Sequence, residues 1–504
     1  MAATRKNPDL VLINPSSRTA VYQSLGKTLS AIEPPVWAGL MATYVRKKGF
    51  AVVIIDAEAE ELTVAQTVQR VMELRPTLSA IVVYGHQPSA STQNMTAASA
   101  VCTALKETAP DQPVLLVGGH VAALPDQTLQ EEKADFACSG EGLLTLVDLI
   151  RAIQAGNTGF DKVPDLFFRN GGIVRSTAVA ALVKDLDAEM PGIAWDLLPM
   201  DRYRAHNWHC LGHLQRQPYV AIYTTLGCPY HCSFCCIQAP FKSGEKQLGM
   251  KESSNSYRFW SPQLVVDDLE MLVKKYGLYN VKFADEMFVL NPRHVNGICD
   301  EILKRRLKLN IWAYARVDTV RDEMVDKLKR AGFNWLAFGI EAASETVRAE
   351  VAKGFDQADI YRTLQHVRSG GISVIGNYIF GLPEDNQASM QQTLEMAMEL
   401  NCEFANFYCA MAYPGSPLYR QALRERWALP QTWTGYSQHA VETLPLPTKH
   451  LSAGEVLRFR DQAFNLHYSN PRYLDMVRQK FGEPTVQHIR EMTAHKLERR
   501  FAGS

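Results

Sequence analysis

The chain has 504 residues, with 53 Lys+Arg against 53 Asp+Glu and 46% hydrophobic residues, enough for about two to four domains. The even charge balance argues against a general nucleic-acid binder, whose affinity rests on a cationic surface that releases counterions. No apolar run reaches the roughly 18 residues needed to cross a bilayer, and MAATRKNPDLVLINPSS lacks the apolar core of a signal peptide, so a cytoplasmic protein with no membrane span is expected.

Residues 1–155 alternate strand and helix patterns. DLVLINP, AVVIIDA, AIVVYG, PVLLVGG and ADFACSG are short apolar runs that end in small or polar residues. Between them, stretches such as LTVAQTVQRVMEL repeat apolar residues at helical spacing. This alternation implies parallel strands in a doubly wound, Rossmann-like sheet, with ligands at the strand carboxyl ends. The dinucleotide fingerprint is absent after the first strand, where NPSSRTA stands, which weighs against NAD or FAD. Residues 156–215 are broken by proline and glycine and read as a connector containing one small hairpin around Gly171 and Gly172.

A second alternating series covers residues 216–420. Its six strands are YVAIYTT, NVKFADE, NIWAYAR, WLAFGIE, SVIGNYIFG and FANFYCAMA. Six units are too few for a closed eight-stranded barrel and predict an open, partial one, with its active site at the strand carboxyl ends. Residues 421–504 read as a mainly helical region packed on that barrel.

Of ten cysteines, Cys228, Cys232, Cys235 and Cys236 fall within nine residues, in TTLGCPYHCSFCCIQ. Clustered thiols in a large cytosolic chain favour metal or redox chemistry over disulfides. The C-x3-C-x2-C spacing of Cys228, Cys232 and Cys235 suits three irons of a 4Fe-4S cluster, leaving the fourth iron open. A zinc site would want paired ligands elsewhere, and a ferredoxin-type cluster a fourth cysteine. Cys236 adjoins Cys235 too closely to reach another face, and His231 reads as packing.

With Phe234 just before the third thiol, this motif after the first strand of a six-unit barrel resembles the radical S-adenosylmethionine (SAM) superfamily over roughly residues 219–419. There the open iron is chelated by SAM, which is cleaved to a 5'-deoxyadenosyl radical. The resemblance implies SAM contacts at Phe234, at Asp285 and Glu286 (in FADEMF, where the family more often has GGE), at Arg316, at Glu341, and at Gly376, Asn377 and Gly381 of GNYIFGLP. The amino-terminal GGH…ALP…GEG pattern resembles the cobalamin-binding domain of cobalamin-dependent radical SAM enzymes over about residues 9–153. It implies cobalamin contacts at Ser89, Ser91, Gly118, Gly119, His120, Ser139, Gly140, Glu141 and Gly142. No Asp-x-His-x-x-Gly loop is present, and His86 and His120 lack that context, so no histidine is expected on the lower face of cobalt.

The resemblance therefore implies an α/β protein in three parts: a Rossmann-like cobalamin domain, a partial (β/α)6 TIM-like radical SAM barrel and a helical carboxyl-terminal region. The activity expected is methylation of an unactivated carbon of a small-molecule substrate through a 5'-deoxyadenosyl radical and methylcobalamin, with flavodoxin or ferredoxin as electron donor. A non-methylating oxidative cyclase or ring-rearranging enzyme of the same subfamily is the alternative, and a catalytically silent binding protein the reading from a different class.

Overall fold

The computed structural model describes residues 7–28, 30–85, 87–157, 159–211 and 216–503; His86 lies outside them. The first sheet contains β1 (Leu10–Asn14), β2 (Val52–Asp56), β3 (Leu78–Val82), β4 (Val114–Val117), β5 (Phe136–Cys138), β6 (Leu166–Asn170) and β7 (Ile173–Ser176). Its order is β2-β1-β3-β4-β5-β6-β7, with β1 to β5 parallel and the β6–β7 hairpin antiparallel. Every residue of β1 and β3 is buried, as strands covered by helices on both faces must be. The hairpin expected inside the connector pairs onto β5, so that stretch is the edge of the first sheet.

The second unit is a six-stranded parallel sheet of β8 (Tyr219–Ile222), β11 (Asn280–Phe283), β12 (Asn310–Ala315), β13 (Phe333–Glu341), β14 (Ser373–Phe380) and β15 (Phe404–Cys409). Its order, β15-β14-β13-β12-β11-β8, is that of an open half-barrel. Between β8 and β11 lies a two-stranded ribbon of β9 (Thr225–Gly227) and β10 (Tyr257–Phe259). The expected first strand thus bends at Tyr223 and Thr224 and continues as β9, which leads directly into the cysteine loop.

An open sheet leaves edge groups unpaired, and the carboxyl-terminal region supplies their partners. Tyr468 OH meets both Ala405 N and Ala405 O of β15, Arg460 Nε donates to Phe407 O at 2.8 Å, and the Gln438 amide pairs with Cys409 N and O at 2.8 and 3.0 Å. The helices Ala453–Tyr468, Pro471–Phe481 and Glu483–Ala494 thereby cover the edge that a closed barrel would have paired. Among the described residues no helix is long and apolar enough to cross a membrane.

The two sheets share one contiguous apolar core. Two ion pairs reinforce the joint. Glu141, after β5, holds Arg258 of β10 through two oxygens, the closer contact 2.6 Å. Glu33 reaches Lys282 of β11 at 3.1 Å, and both side chains are nearly inaccessible.

Candidate functional site

The cysteine loop is fixed from several directions. Gly227 has φ +87°, and a Cβ there would lie 2.3 Å from Ser256 O, so only glycine lets β9 and β10 approach at this point. Cys228 N donates to Gln238 Oε1 at 3.2 Å, Gln238 Nε2 to Glu245 Oε1 at 2.6 Å, and Ser256 closes the chain on that same carboxylate. Phe234 packs into two apolar clusters beside the ends of β14 and β15, a burial that contributes about 2 kcal/mol. Cys228 is buried and Cys232 and Cys235 are half-buried, while Cys236 is buried beside Gly415. Cys102, Cys138, Cys299, Cys402 and Cys409 are also buried.

Burial pushes the Cys228 thiol up to about 12 and raises Cys232 and Cys235 as well; Lys353 and Arg316 pull Cys232 the other way. Such thiols become thiolates only when a positive centre compensates them. Among the described residues no three His, Cys, Asp or Glu side chains converge as a ready single-ion site. A sulfur-only donor set on one loop, with an arginine and a lysine nearby, fits a 4Fe-4S cluster.

The strand ends surround this loop. Arg316, after β12, places Nη1 3.9 Å from Cys232 Sγ and lies over the Tyr230 ring at 3.9 Å, with Nε and Nη2 held by Asp318. Glu341 ends β13 at φ +67° beside a register shift, a conformation that costs a residue with a Cβ about 1–3 kcal/mol. Its carboxylate is ion-paired with Lys353, which also donates to Gly339 O at 3.0 Å.

Glu286 makes no hydrogen bond to any described residue. Burial pushes its carboxyl up to about 7, with Lys282 drawing it down, and its charge acts on Cys228, Cys235, Tyr223 and Tyr314. It is thus an acid with no hydrogen-bond partner among the described residues, close enough to the thiol loop to act on its cysteines.

Several residues expected as contacts also bond or pack within the protein. The Asp285 carboxylate accepts from Thr224 N and from the Thr224 and Thr225 hydroxyls, which fixes the bend before β9. Gly381 leaves room for Val456, whose Cγ1 would lie 2.4 Å from a Cβ, and Gly376 for the Tyr378 ring, so neither glycine presents a bare surface to adenine. Asn377 does face the lumen, where it donates to Phe338 O and accepts from Asn406.

On the first sheet, Gly118 lets the end of β4 close on β3, since a Cβ would lie 2.2 Å from Val83 O. Ser91 binds Val83 O and accepts from His120 N at 2.8 Å, bracing the same two strand ends, while Gly119 keeps an open surface beside it. His120 is buried under Trp433, ring centres 4.4 Å apart, and burial lowers its imidazole to about 3; it is a neutral packing residue. Ser139 bonds Asp165 O, Gly140 makes room for the Asp165 carboxylate, and Gly142 makes room for Val117. Glu141 is committed to Arg258. Ser89 lies beside the Tyr413 hydroxyl of the second unit.

What remains at this edge is a crevice between the two sheets' carboxyl ends, with Asn14, Tyr84 and Gly85 on one side and Tyr223 and Ala284 on the other. Trp37 stacks on Tyr84 at 4.3 Å and reaches Tyr223 and Phe241. This aromatic wall stands at the strand carboxyl ends, the edge where a doubly wound domain takes its ligand.

A thiol loop at the mouth of a half-barrel, with the ligand edge of a Rossmann-like domain set against it, defines a radical SAM protein with an added ligand-binding domain. Residues 222–397 match the Radical SAM superfamily model and residues 22–150 the B12 binding domain model. An uncharacterized methyltransferase of Pyrococcus horikoshii is 26% identical over 92% of this chain and 93% of its own. The anaerobic magnesium-protoporphyrin IX monomethyl ester cyclase of Cereibacter sphaeroides is 26% identical over 89% of this chain and 68% of its own. The solved structure of the radical SAM methyltransferase TsrM from Kitasatospora setae superposes with a TM-score of 0.67 over 96% of this chain and 99% of that one; at 15% identity the likeness is one of fold. The chain carries a radical SAM domain and, ahead of it, a B12-binding domain.

The cysteine loop was readable from its spacing. The Gln238–Glu245–Ser256 brace was not, because it depends on a ribbon whose strands of three residues carry no periodic signal, nor was the Glu341–Lys353 pair, which forms across a loop and helix 12 residues long.

Proposed function

We propose that the protein is a cobalamin-dependent radical SAM methyltransferase that places a methyl group on an unactivated carbon of a small molecule. The observation that carries this reading is the meeting of the two sites. Phe234 of the cysteine loop and Leu124, which follows Gly118 and Gly119, pack on one apolar cluster, so the thiol loop and the strand-end edge of the first sheet adjoin. The relatives include both methyltransferases and a cyclase.

When bound, the cluster with SAM supplies a 5'-deoxyadenosyl radical and the cobalamin supplies the methyl group. The chain's own residues orient and shield. Cys228, Cys232 and Cys235 would hold the cluster. Glu286 would accept the SAM amine, and the free Nη1 edge of Arg316 would meet the carboxylate. Glu341, held at its unusual backbone angle and fixed by Lys353, is the remaining anion at the mouth, placed for ribose hydroxyls. Trp37, Tyr84 and Tyr223 keep water from the crevice, which guards a reactive radical. A small reduced protein such as flavodoxin or ferredoxin would supply the electron.

The cyclase likeness favours a second reading, oxidative cyclisation at the same site. Anaerobically reconstituted protein, given SAM and a reductant with extracts of candidate substrates, separates the two. S-adenosylhomocysteine, 5'-deoxyadenosine and a methylated product together support methyl transfer. 5'-Deoxyadenosine without S-adenosylhomocysteine points to cyclisation, and neither product contradicts both.

A further inference from the structure

Beneath the mouth, the half-barrel lumen opens into a cavity of about 590 Å³, within the size range of small-molecule sites. The inward faces of β12 and β15 form two walls, the amino-terminal unit contributes Tyr22 and Gln93, and the carboxyl-terminal helices close the open side. Tyr314, on the cavity wall, stands two positions before Arg316, so the cavity begins under the candidate SAM site.

The chemistry of the walls is selective. The buried charges are already engaged. Lys282, 1% exposed, is paired with Glu33 and lies over the Trp312 ring at 5.0 Å. Arg460 donates to Phe407 O and to Asp461, which Arg499 also holds. His439 is kept neutral by burial. Among the described residues lining the cavity the buried cations are engaged and Lys496 is exposed, so an anionic ligand would be buried without a buried partner, which is costly.

Flat surfaces are plentiful, from Trp208, Trp312, Phe404 and Phe464. The hydroxyls of Tyr314 and Tyr408 line the same cavity, make no hydrogen bond to any described residue, and are kept protonated by burial. They are donors and acceptors held ready among ring faces.

We propose that this cavity holds the substrate, and that the substrate is an uncharged, flat ring system carrying oxygen or nitrogen hydrogen-bonding groups. The inference rests on the methyltransferase reading for what happens to that substrate. Aromatic walls favour stacked or edge-on rings, and the tyrosine hydroxyls orient one ring edge toward the mouth. A sugar phosphate or a saturated acid matches neither feature.

The test is calorimetric binding to the reconstituted holoenzyme of three probes of similar size: 2-naphthol, 2-naphthyl phosphate and decahydro-2-naphthol. 2-Naphthol should bind, and the phosphate and the saturated alcohol should each bind about tenfold more weakly or worse. Tyr408→Phe, which keeps the ring and removes the hydroxyl, should weaken 2-naphthol about fivefold; Trp312→Leu should weaken it further. Equal or tighter binding of the phosphate, failure of 2-naphthol to bind, or unchanged affinity in Tyr408→Phe would each overturn the proposal. Binding needs no turnover, so the two readings fail separately. Probe binding as expected with no 5'-deoxyadenosine formed supports the cavity assignment and sinks only the enzymatic reading. 5'-Deoxyadenosine formation without selective probe binding sinks only the cavity.

Discussion

Arg316 Nη1 lies 3.9 Å from Cys232 Sγ, on the side of the guanidinium that Asp318 leaves open. The arginine therefore touches the thiol loop and keeps one donor edge for an anion beside it. Arg316→Ala should leave bound iron near the parent level while raising the SAM concentration for half-maximal 5'-deoxyadenosine formation about tenfold. Arg316→Lys should recover little, because an ammonium lacks the planar fork and the stacking on Tyr230. A SAM titration with iron quantified in parallel checks both.

Glu341 and Lys353 form a pair whose side chains are both below 8% exposed. Lys353→Met leaves a buried carboxylate uncompensated and should cost about 3 kcal/mol in chemical denaturation. The double variant Glu341→Gln with Lys353→Met should regain most of that stability while staying poor in SAM cleavage, which separates folding from the proposed ribose contact.

The Glu141–Arg258 contact joins the two units directly. Arg258→Ala should lower stability by about 3 kcal/mol and split thermal unfolding into two transitions, measured by calorimetry. A single sharp transition in the variant would mean that the shared apolar core alone couples the units.

Asp268, on the helix Pro262–Tyr276, accepts two contacts from the Trp195 indole nitrogen at 2.9 and 3.0 Å. Burial pushes its carboxyl up from 3.8 to about 7, against the pull of that indole. The folded state therefore holds the proton more tightly than the unfolded state between these values. Its contribution to stability is fully present below about pH 4 and is lost as pH rises through about 7. Asp268→Asn should flatten that loss, gaining on the parent between pH 5 and pH 8, and Trp195→Phe should steepen it. Thermal midpoints across this range give the comparison.

Much of this arrangement was legible in the residues. Alternating apolar runs located all six half-barrel strands and the five parallel strands of the first sheet, because a parallel sheet covered on both faces leaves a strong local signal. Which of Asp285 and Glu286 is bonded within the protein was not legible: it depends on the bend at Thr224, which the Asp285 carboxylate itself fixes. Glu141, between two glycines, and Ser91, in the hydroxyl-rich stretch after β3, look like ligand contacts, yet they brace partners 117 and 29 residues away. The Glu33–Lys282 pair spans 249 residues, a distance no local pattern reaches. The residues that cap β15 come from the tail, whose pattern places it on the barrel without showing which strand it covers.

The central claim is that one chain carries a radical-generating cluster and a separate cobalamin site. Iron, cobalamin and 5'-deoxyadenosine measured together on anaerobically reconstituted parent and Cys232→Ala proteins test it most directly. The account predicts about four irons and one cobalamin per parent chain, with 5'-deoxyadenosine formed from SAM and reductant. In Cys232→Ala, iron and 5'-deoxyadenosine should be lost while cobalamin stays bound. Fewer than about three irons in the parent, or no 5'-deoxyadenosine from it, would contradict the account.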